Sequence, residues 1–510
     1  MTDAPLNERG IDVNWKDGVV LLILFGALLS LTLPRLGDVP APWFDEGLVL
    51  QPAKNLVESG QYGIRLGEDV AWFHPAIQTG PTVVAPIALL FRLFGVGFLQ
   101  ARIVVVVYAC AALVAFYALA RVVSGRRAVA AVAGFLLIST FDHEFTSFPL
   151  MARQVLGEVP ALFFFWSGTA LWFLARRDGW RAWVGAGLLW GLAMVTKAQF
   201  VLLLPVALFG TWISERLTGK RVNVHRFLVP TFVAGLCVAG WYGVQLLSVG
   251  WETFGSLGSA GVAHFLNFSL RSGVGALSRL AGSTLLLGGF PAMVYTFGAG
   301  LRSDEPEDGR HIFLVVFSFT WLMWYAFFSI GWMRYAFVPA VTSLIPLAYC
   351  SLQLWEWSTE SVDIRIGWRA VSLGHLAMAT LGLMVVLSGT VSLAKTIARE
   401  PGSGLDELIV YLNEEVSREA LIETWEWEVV CVTDHSFHLP PYEVTNMVTE
   451  QIWRRLPRDE DLYEPTAEDP DYLLLGTFGR WTSVYSALLR ERRPTLVASF
   501  GDYELYRVDQ

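Results

Sequence analysis

The 510 residues are 54% hydrophobic and 16% charged, with a mean hydropathy of +0.47. A soluble protein of this composition would expose large apolar patches, so the sequence excludes that class and predicts a chain that crosses a membrane several times. The net charge of −9 is unevenly distributed, because residues 400–510 carry 23 acidic and 9 basic side chains whereas the rest has a net charge of +5. No basic patch is interleaved with aromatic residues, so nucleic acid is not expected as a partner.

The N-terminal region is polar and contains Arg9 and Lys16 ahead of a long apolar run over residues 17–34. No small-residue cleavage site accompanies this run, so we expect a retained membrane anchor rather than a removable signal. Of the four cysteines, Cys431 is alone in the acidic tail, and an internal disulfide of the tail is therefore not expected.

Two adjacent carboxylates, Asp45 and Glu46, follow the first apolar run, where the chain should leave the bilayer. From Leu48 to Val57 the apolar residues fall on one helical face and Gly60 ends the pattern, which predicts a short amphipathic helix. Charges this close to a membrane are costly unless they face water. The pair therefore indicates either a water-filled functional cavity or an ordinary solvated loop.

Ten further apolar runs are predicted to span the membrane, at residues 101–120, 128–141, 159–175, 182–196, 198–214, 227–248, 281–300, 311–330, 335–354 and 370–393. An additional run at 76–94 carries Pro81, Pro86 and Arg92, and its placement decides the topology. If this run does not cross, the basic residues of the later loops all face the cytoplasm, as the positive-inside rule requires. Those residues are Arg121, Arg126, Arg127, Arg176, Arg177, Arg181, Arg216, Lys220, Arg221, Arg226, Arg302, Arg310, Arg365 and Arg369.

The charge distribution thus predicts an all-α polytopic protein of the plasma (inner) membrane with about eleven transmembrane helices. Residues 76–94 become a re-entrant or surface-lying helix within a first outer loop over residues 35–100. The N-terminus is cytoplasmic and the C-terminus extracytoplasmic. Polar groups then collect on the outer face, where we expect any chemistry to take place.

The acidic tail begins at Pro401-Gly402-Ser403-Gly404, which is typical of a linker. Residues 405–416 are predicted to be helical, and 428–433, 472–477 and 495–508, with a turn at Gly501-Asp502, are predicted strands. We therefore divide the chain into a membrane body over residues 1–399 and a small extracytoplasmic α/β domain over residues 400–510. This domain is expected to cover or select the acceptor.

Six motifs occur in a fixed order along the predicted outer face. They are Asp45-Glu46 with Glu58-Ser-Gly60-Gln-Tyr62, His74-Pro75, Phe91-Arg92-Leu93-Phe94-Gly95 with Arg102, Arg153 to Glu158-Val-Pro-Ala, Thr196-Lys197, and Arg334-Tyr335-Ala-Phe-Val-Pro339. This order resembles the GT-C glycosyltransferases of the protein O-mannosyltransferase and aminoarabinose transferase type, through the membrane body to about residue 350. The chain departs from that pattern at His74-Pro75-Ala76, where relatives often carry Lys-Pro-Pro, and at Glu158, where they often have Asp.

The resemblance implies a membrane enzyme that takes a sugar from a polyprenyl-phosphate carrier and delivers it to a lipid, glycan or protein acceptor on the outer face. Such transfer requires a base for the acceptor hydroxyl and cations for the leaving phosphate. Asp45 matches the first-loop acid of the family and is the candidate base, with Glu46 and Glu158 as further acids. For the phosphate the candidates are Lys197, Arg334, Arg153, His74 and Tyr335.

Structural alternatives remain open for several of these residues. Glu46 and Glu158 are equally consistent with acids that favour a helix N-terminus, and Lys197 with a side chain that extends to the membrane interface. His143 and Glu144 have no third partner at metal-ligand spacing, so neither a metal nor another cofactor is indicated. For the whole chain, the alternative function is a multi-span transporter or flippase, whose path outward-facing charges would line.

Overall fold

The computed structural model describes residues 14–508, apart from 67–68, 75, 78, 176–178, 220–221, 256–267, 303–305, 359–362, 367–368, 399–402, 455 and 457–461. Several predicted features lie outside the described residues: Pro75, the linker residues Pro401 and Gly402, and the basic residues Arg176, Arg177, Lys220 and Arg221.

Helices dominate the first four hundred residues. In chain order they are α1 (Trp15–Thr32), α2 (Phe44–Glu58), α3 (Pro81–Phe94), α4 (Phe98–Ser124), α5 (Arg127–Ser139), α6 (Phe148–Met151), α7 (Glu158–Leu174), α8 (Trp180–Thr196), α9 (Gln199–Leu217), α10 (His225–Val249), α11 (Leu270–Arg279), α12 (Phe290–Arg302), α13 (Pro306–Phe327), α14 (Phe337–Thr342), α15 (Leu344–Trp357) and α16 (Leu373–Ala398). A π-helical turn at Leu285–Gly289 precedes α12, and short 3₁₀ turns at Glu144–Thr146 and Met333–Ala336 precede α6 and α14.

Five of the described helices are long and apolar enough to span a membrane: α1, α4, α9, α10 and residues 310–327 of α13. Residues 333–342 and 344–357 together form a sixth candidate, bent by 43°. Helices also occupy the other predicted spans, but several of these are shorter, among them α5, α7 and the apolar part of α16. The chain is therefore a mostly helical membrane protein, and the number of eleven spans remains a prediction.

The first loop is held against the membrane body by α2 and α3, which pack on each other, while α3 also packs on α4. The amphipathic helix predicted after Asp45 is confirmed as α2, which begins one residue before Asp45 and ends at Glu58. Between α2 and α3 lies an unpredicted antiparallel hairpin of β1 (Gly63–Leu66) and β2 (Asp69–Trp72). A second hairpin joins β3 (Asp363–Ile366) to β4 (Arg369–Ser372).

The C-terminal segment contains a five-stranded mixed sheet with the order β6-β5-β7-β9-β8. Its strands are β5 (Leu421–Thr424), β6 (Ser436–His438), β7 (Tyr472–Leu475), β8 (Thr495–Phe500) and β9 (Tyr503–Arg507). The helices are α17 (Leu405–Glu415), α18 (Trp427–Val432), α19 (Tyr442–Arg454), α20 (Thr477–Thr482) and α21 (Ser486–Glu491). The predicted helix at 405–416 and the predicted strands at 472–477 and 495–508 are confirmed.

The predicted strand at 428–433 is wrong, because these residues belong to the helix α18. Strands β5 and β6 run parallel and therefore need a crossover connection, which α18 supplies. Its β-branched residues Val429, Val430 and Val432 favour a strand locally, but packing against α2 overrides that preference.

Candidate active site

A cavity of about 490 Å³ lies where the first loop, the segment before α14 and the C-terminal segment meet. The N-terminal end of α2 contributes Trp43 and Asp45, and the turn before α14 contributes Trp332 and Arg334. From the C-terminal side the lining includes Trp427 at the start of α18. This volume falls within the range of about 300–1,000 Å³ that is typical of small-molecule sites.

Four charged side chains from four separate elements form one ion network beside this cavity. Arg334 pairs through Nη1 with Oδ2 of Asp45. Glu158 Oε1 lies 3.2 Å from Arg334 Nε and 3.0 Å from Lys197 Nζ. The side chains of Arg334, Glu158 and Lys197 are 2–4% exposed, whereas that of Asp45 is 20% exposed. Asp45 and Arg334 also line the cavity, so they present this network to a ligand.

Local structure explains why these charges meet. Asp45 and Glu158 lie in the first turns of α2 and α7, where acidic side chains are favoured by the helix dipole. Lys197 directly follows α8, and Arg334 lies in the short 3₁₀ turn before α14. The guanidinium of Arg334 stands 4.3 Å above the Trp332 ring, a cation–π contact that helps to fix it. The structure thus brings together four of the predicted site residues.

Glu46 was a candidate catalytic acid, but the structure turns it away from the cavity. Its fully buried carboxylate accepts hydrogen bonds from Arg102 Nε at 2.9 Å and Nη2 at 2.5 Å, and from the Val155 amide at 2.8 Å. This bidentate, charge-assisted pair anchors α2 to α4. The geometry argues against a catalytic role, and the buried ion pair between two helices also differs from the helix N-terminal acid considered as the alternative.

Arg153 was a candidate phosphate ligand, and here too the structure indicates a different role. Its buried guanidinium makes five hydrogen bonds to backbone carbonyls at 2.7–3.1 Å. The acceptors are Leu31, Thr32, Pro34, Arg35 and Val39, at the end of α1 and the start of the first loop. The five N–H donors of the guanidinium are already engaged, so none remains for a phosphate. Arg153 instead fixes the start of the first loop, which carries Asp45.

His74 and Tyr335 both line the cavity, as the sequence predicted. Burial lowers the pKa of His74 to about 4, partly offset by the charge of Glu443, so the imidazole is neutral at pH 7. A neutral imidazole can still donate and accept hydrogen bonds, so contact between His74 and a phosphate remains a prediction. Tyr335 is 6% exposed, and its backbone carbonyl accepts a hydrogen bond from Trp321 at 2.8 Å.

No residue of the C-terminal segment was predicted for the site, although this segment forms one wall of the cavity. Glu426 accepts hydrogen bonds from the amides of Gly476, Phe478 and Gly479 at 2.8–3.2 Å. Glu428 accepts one from Tyr503 Oη at 2.9 Å, and burial raises the pKa of its carboxyl well above the ordinary range. The run Trp425-Glu426-Trp427-Glu428, in which acids alternate with aromatics, is the signal that marks this wall in the sequence.

Among the described residues, no group of three His, Cys, Asp or Glu side chains is arranged to hold a metal ion.

Comparisons with known proteins identify the fold. The profile of the dolichyl-phosphate-mannose-protein mannosyltransferase family matches residues 74–241. The structure of ArnT from Cupriavidus metallidurans bound to undecaprenyl phosphate is similar over 97% of this chain and 98% of that chain, with a TM-score of 0.63 and 14% identity. The archaeal oligosaccharyltransferase AglB from Archaeoglobus fulgidus, in complex with an inhibitory peptide and a dolichol-phosphate, is similar over 97% of this chain and 74% of that chain, with a TM-score of 0.58 and 11% identity. No curated protein sequence is significantly similar to this chain.

These matches confirm the resemblance that the order of motifs predicted: the chain has the GT-C fold. It is similar to membrane glycosyltransferases across almost its whole length, and the extent of the match includes the C-terminal segment.

Proposed function

We propose that this protein transfers a sugar from a polyprenyl-phosphate carrier to an acceptor hydroxyl on the outer face of the membrane. The observation that carries the proposal is the ion network at the cavity, in which the partly exposed Asp45 meets the cation Arg334. Isolated buried ions are costly, so two buried cations held beside two carboxylates indicate a functional site that binds a charged ligand. The similarity to ArnT, whose structure holds undecaprenyl phosphate, supports this choice of carrier.

The proposed chemistry follows from what each group can do. Asp45 accepts the proton of the acceptor hydroxyl, and the hydroxyl oxygen attacks the anomeric carbon of the donor sugar. The bond between that carbon and the phosphate oxygen breaks, and the polyprenyl phosphate leaves with the electron pair. Arg334 stabilises the charge that develops on the leaving phosphate.

Glu158 and Lys197 have supporting roles in this scheme. Both are almost fully buried behind Arg334, and Glu158 lies within 3.2 Å of both cationic groups. The carboxylate therefore holds Arg334 in place, and Lys197 balances the second negative charge of the network. Only Nη1 of Arg334 pairs with Asp45, and a guanidinium has five N–H donors, so Arg334 can bind a phosphate while it remains beside Asp45.

A turnover assay on purified protein tests the proposal. The protein is incubated with a panel of polyprenyl-phosphate-linked sugars, and free polyprenyl phosphate is measured. We expect release by the wild-type protein and a loss of ~100-fold or more in Asp45→Asn, because general base catalysis contributes about 10²–10⁴-fold.

The matched control is Asp142→Asn. Asp142 accepts hydrogen bonds from the amide and hydroxyl of Thr284 at 2.8 Å and does not line the cavity. Its variant should retain wild-type release. Absence of release from every donor in the panel by a folded wild-type protein would count against the proposal.

A further inference from the structure

The cavity has two walls of different charge. On the membrane side its lining includes one Lys or Arg side chain, Arg334, which is already paired with Asp45. The C-terminal side contributes three acidic residues, Glu426, Glu428 and Asp502. Within the described lining, the side contributed by the C-terminal segment is thus acidic.

Burial raises the pKa of both buried acids of this wall, Glu426 and Glu428. Glu426 accepts three backbone amide hydrogen bonds, which favour the ionised form. Glu428 is buried beside it, and burial together with the charge of Glu426 raises the pKa of Glu428 well above its ordinary value. Beside these two acids, the exposed Asp502 presents a third carboxyl group to the cavity.

An anionic acceptor would meet no Lys or Arg side chain among the described lining residues of this wall. Arg480, which donates to the Asp502 carbonyl outside the lining, is already paired with Glu504. The donor phosphate adds further negative charge to the same cavity, and like charges brought together in a partly buried site repel each other strongly. Carboxylates are, however, good acceptors for uncharged hydroxyl groups. The charge pattern therefore favours a neutral, hydroxyl-rich acceptor.

Aromatic rings supply the remaining surface. Trp43 and Trp332 meet edge to face with ring centroids 5.8 Å apart, and both line the cavity. Across it, Phe478 and Trp481 belong to α20 and have ring centroids 5.5 Å apart. Trp481 is 39% exposed, so part of its surface remains available to a ligand. The C–H faces of sugar rings are apolar and pack on flat aromatic surfaces, while their hydroxyls reach the polar groups around them.

We infer that the acceptor is an uncharged carbohydrate, bound between the aromatic rings and the acidic C-terminal wall with one hydroxyl directed at Asp45. This inference rests on the proposed glycosyl transfer and specifies its acceptor. A phosphorylated lipid and a hydroxyl-bearing peptide are the other acceptor classes, and the experiment separates them.

The test measures binding to purified full-length protein in the absence of donor, by calorimetry. The probes are neutral hexose and N-acetylhexosamine disaccharides, the same disaccharides carrying one phosphate, and a serine- and threonine-rich neutral peptide. We expect at least one neutral disaccharide to bind, at least 10-fold more tightly than its phosphorylated form and than the peptide.

Two variants connect binding to the wall. Trp481→Ala should weaken disaccharide binding at least 10-fold, whereas Trp180→Ala, which removes another exposed tryptophan outside the cavity, should not. Asp502→Lys should shift the preference toward the phosphorylated disaccharide at least 10-fold. Asp406→Lys makes the same charge change on exposed α17, outside the cavity lining, and should leave the preference unchanged.

Tighter or equal binding of a phosphorylated disaccharide or the peptide, or no binding of any neutral disaccharide, would overturn the inference. These outcomes do not depend on donor turnover. Failure of polyprenyl phosphate release with intact carbohydrate binding would instead contradict the proposed function.

Discussion

Two buried arginines hold the loop that carries Asp45, although neither lines the cavity. Arg153 donates to five carbonyls between Leu31 and Val39. Arg102 donates to the carbonyls of Leu36 and Gly37 as well as to Glu46. Because the guanidinium presents five donors in a fixed planar fork, it can satisfy several carbonyls of an irregular loop at once.

Arg153→Lys should therefore destabilise the protein without abolishing donor binding. A lysine offers three donors, so at least two of the five carbonyls lose their partner, and each one that is buried, as at Thr32 and Val39, costs about 1–3 kcal/mol. Thermal unfolding in detergent should show a lower midpoint, while the affinity of the folded fraction for polyprenyl phosphate stays within a few-fold of wild type. A wild-type midpoint combined with lost phosphate binding would restore Arg153 as a phosphate ligand.

The neutral His74 predicts a specific pH dependence of stability. Its pKa is about 4 in the folded protein and about 6.5 when unfolded, so between these values the unfolded chain binds a proton that the folded chain does not. Protonation of His74 in the unfolded chain therefore lowers the free energy of unfolding as the pH drops from 6.5 toward 4, by up to about 3 kcal/mol. Above pH 6.5 this effect is absent. The difference between the unfolding midpoints at pH 7 and pH 4.5 should be smaller in His74→Gln than in wild type. An identical pH dependence in both proteins would show that His74 is accessible to protons in the folded state.

At the residue scale, sequence predicted the composition of the site better than its contacts. Asp45, Glu158, Lys197 and Arg334 were all predicted, and the structure places them together. In the motifs, Glu46 and Arg153 resemble the other charged site residues. The sequence does not show that Glu46 pairs with Arg102 or that Arg153 donates to five backbone carbonyls. Such assignments depend on tertiary contacts, here between residues more than 50 positions apart.

At the scale of elements, the contact between α2 and α18 joins the first loop to the C-terminal segment. A Cβ atom at Gly47 would lie 2.3 Å from the carbonyl carbon of Trp427, so the two backbones touch where Gly47 has no side chain. Next to this contact, Phe44 stacks on Phe478 with ring centroids 3.6 Å apart. Lys54, at the other end of α2, pairs with Asp434 at 2.9 Å.

Gly47→Ala should separate these two elements and disturb the cavity between them. The added methyl group meets backbone rather than a flexible side chain, so we expect a loss of about 1–3 kcal/mol in unfolding free energy and a loss of acceptor-dependent transfer. Gly26→Ala is the matched control, because nothing lies within 4 Å of a Cβ atom at that position of α1. Equal unfolding midpoints for both variants would mean that α2 and α18 do not touch in this way.

The elements were predicted well where periodicity decides them and poorly where packing does. Long apolar runs and the amphipathic pattern of α2 located the helices of the membrane body. In the C-terminal segment, β7 was recognised as a continuous apolar run, whereas polar residues such as Glu423 and Ser436 interrupt the equally short β5 and β6, which were missed. Only the packing of α18 on α2 turns a valine-rich run into a helix.

At the scale of the whole molecule, the distribution of basic loops predicts the orientation in the membrane. In a variant without native cysteines, single cysteines at Ser124, Gly179 and Gly219 should resist an impermeant thiol reagent in intact cells, because the positive-inside rule places their loops in the cytoplasm. A cysteine at Glu491, which is exposed at the end of α21 in the C-terminal segment, should react. Labelling at Gly179 without labelling at Glu491 would reverse the orientation.

The central claim is that Asp45 and Arg334 act as one unit in transfer, and a double-variant cycle tests it most directly. Initial rates of polyprenyl phosphate release are measured for wild type, Asp45→Asn, Arg334→Gln and the double variant in one preparation series. Each single variant should lose ~100-fold or more, and the double variant should be little slower than the slower single one, because residues that act together are not additive. Single variants that both release polyprenyl phosphate at rates near wild type would contradict the claim.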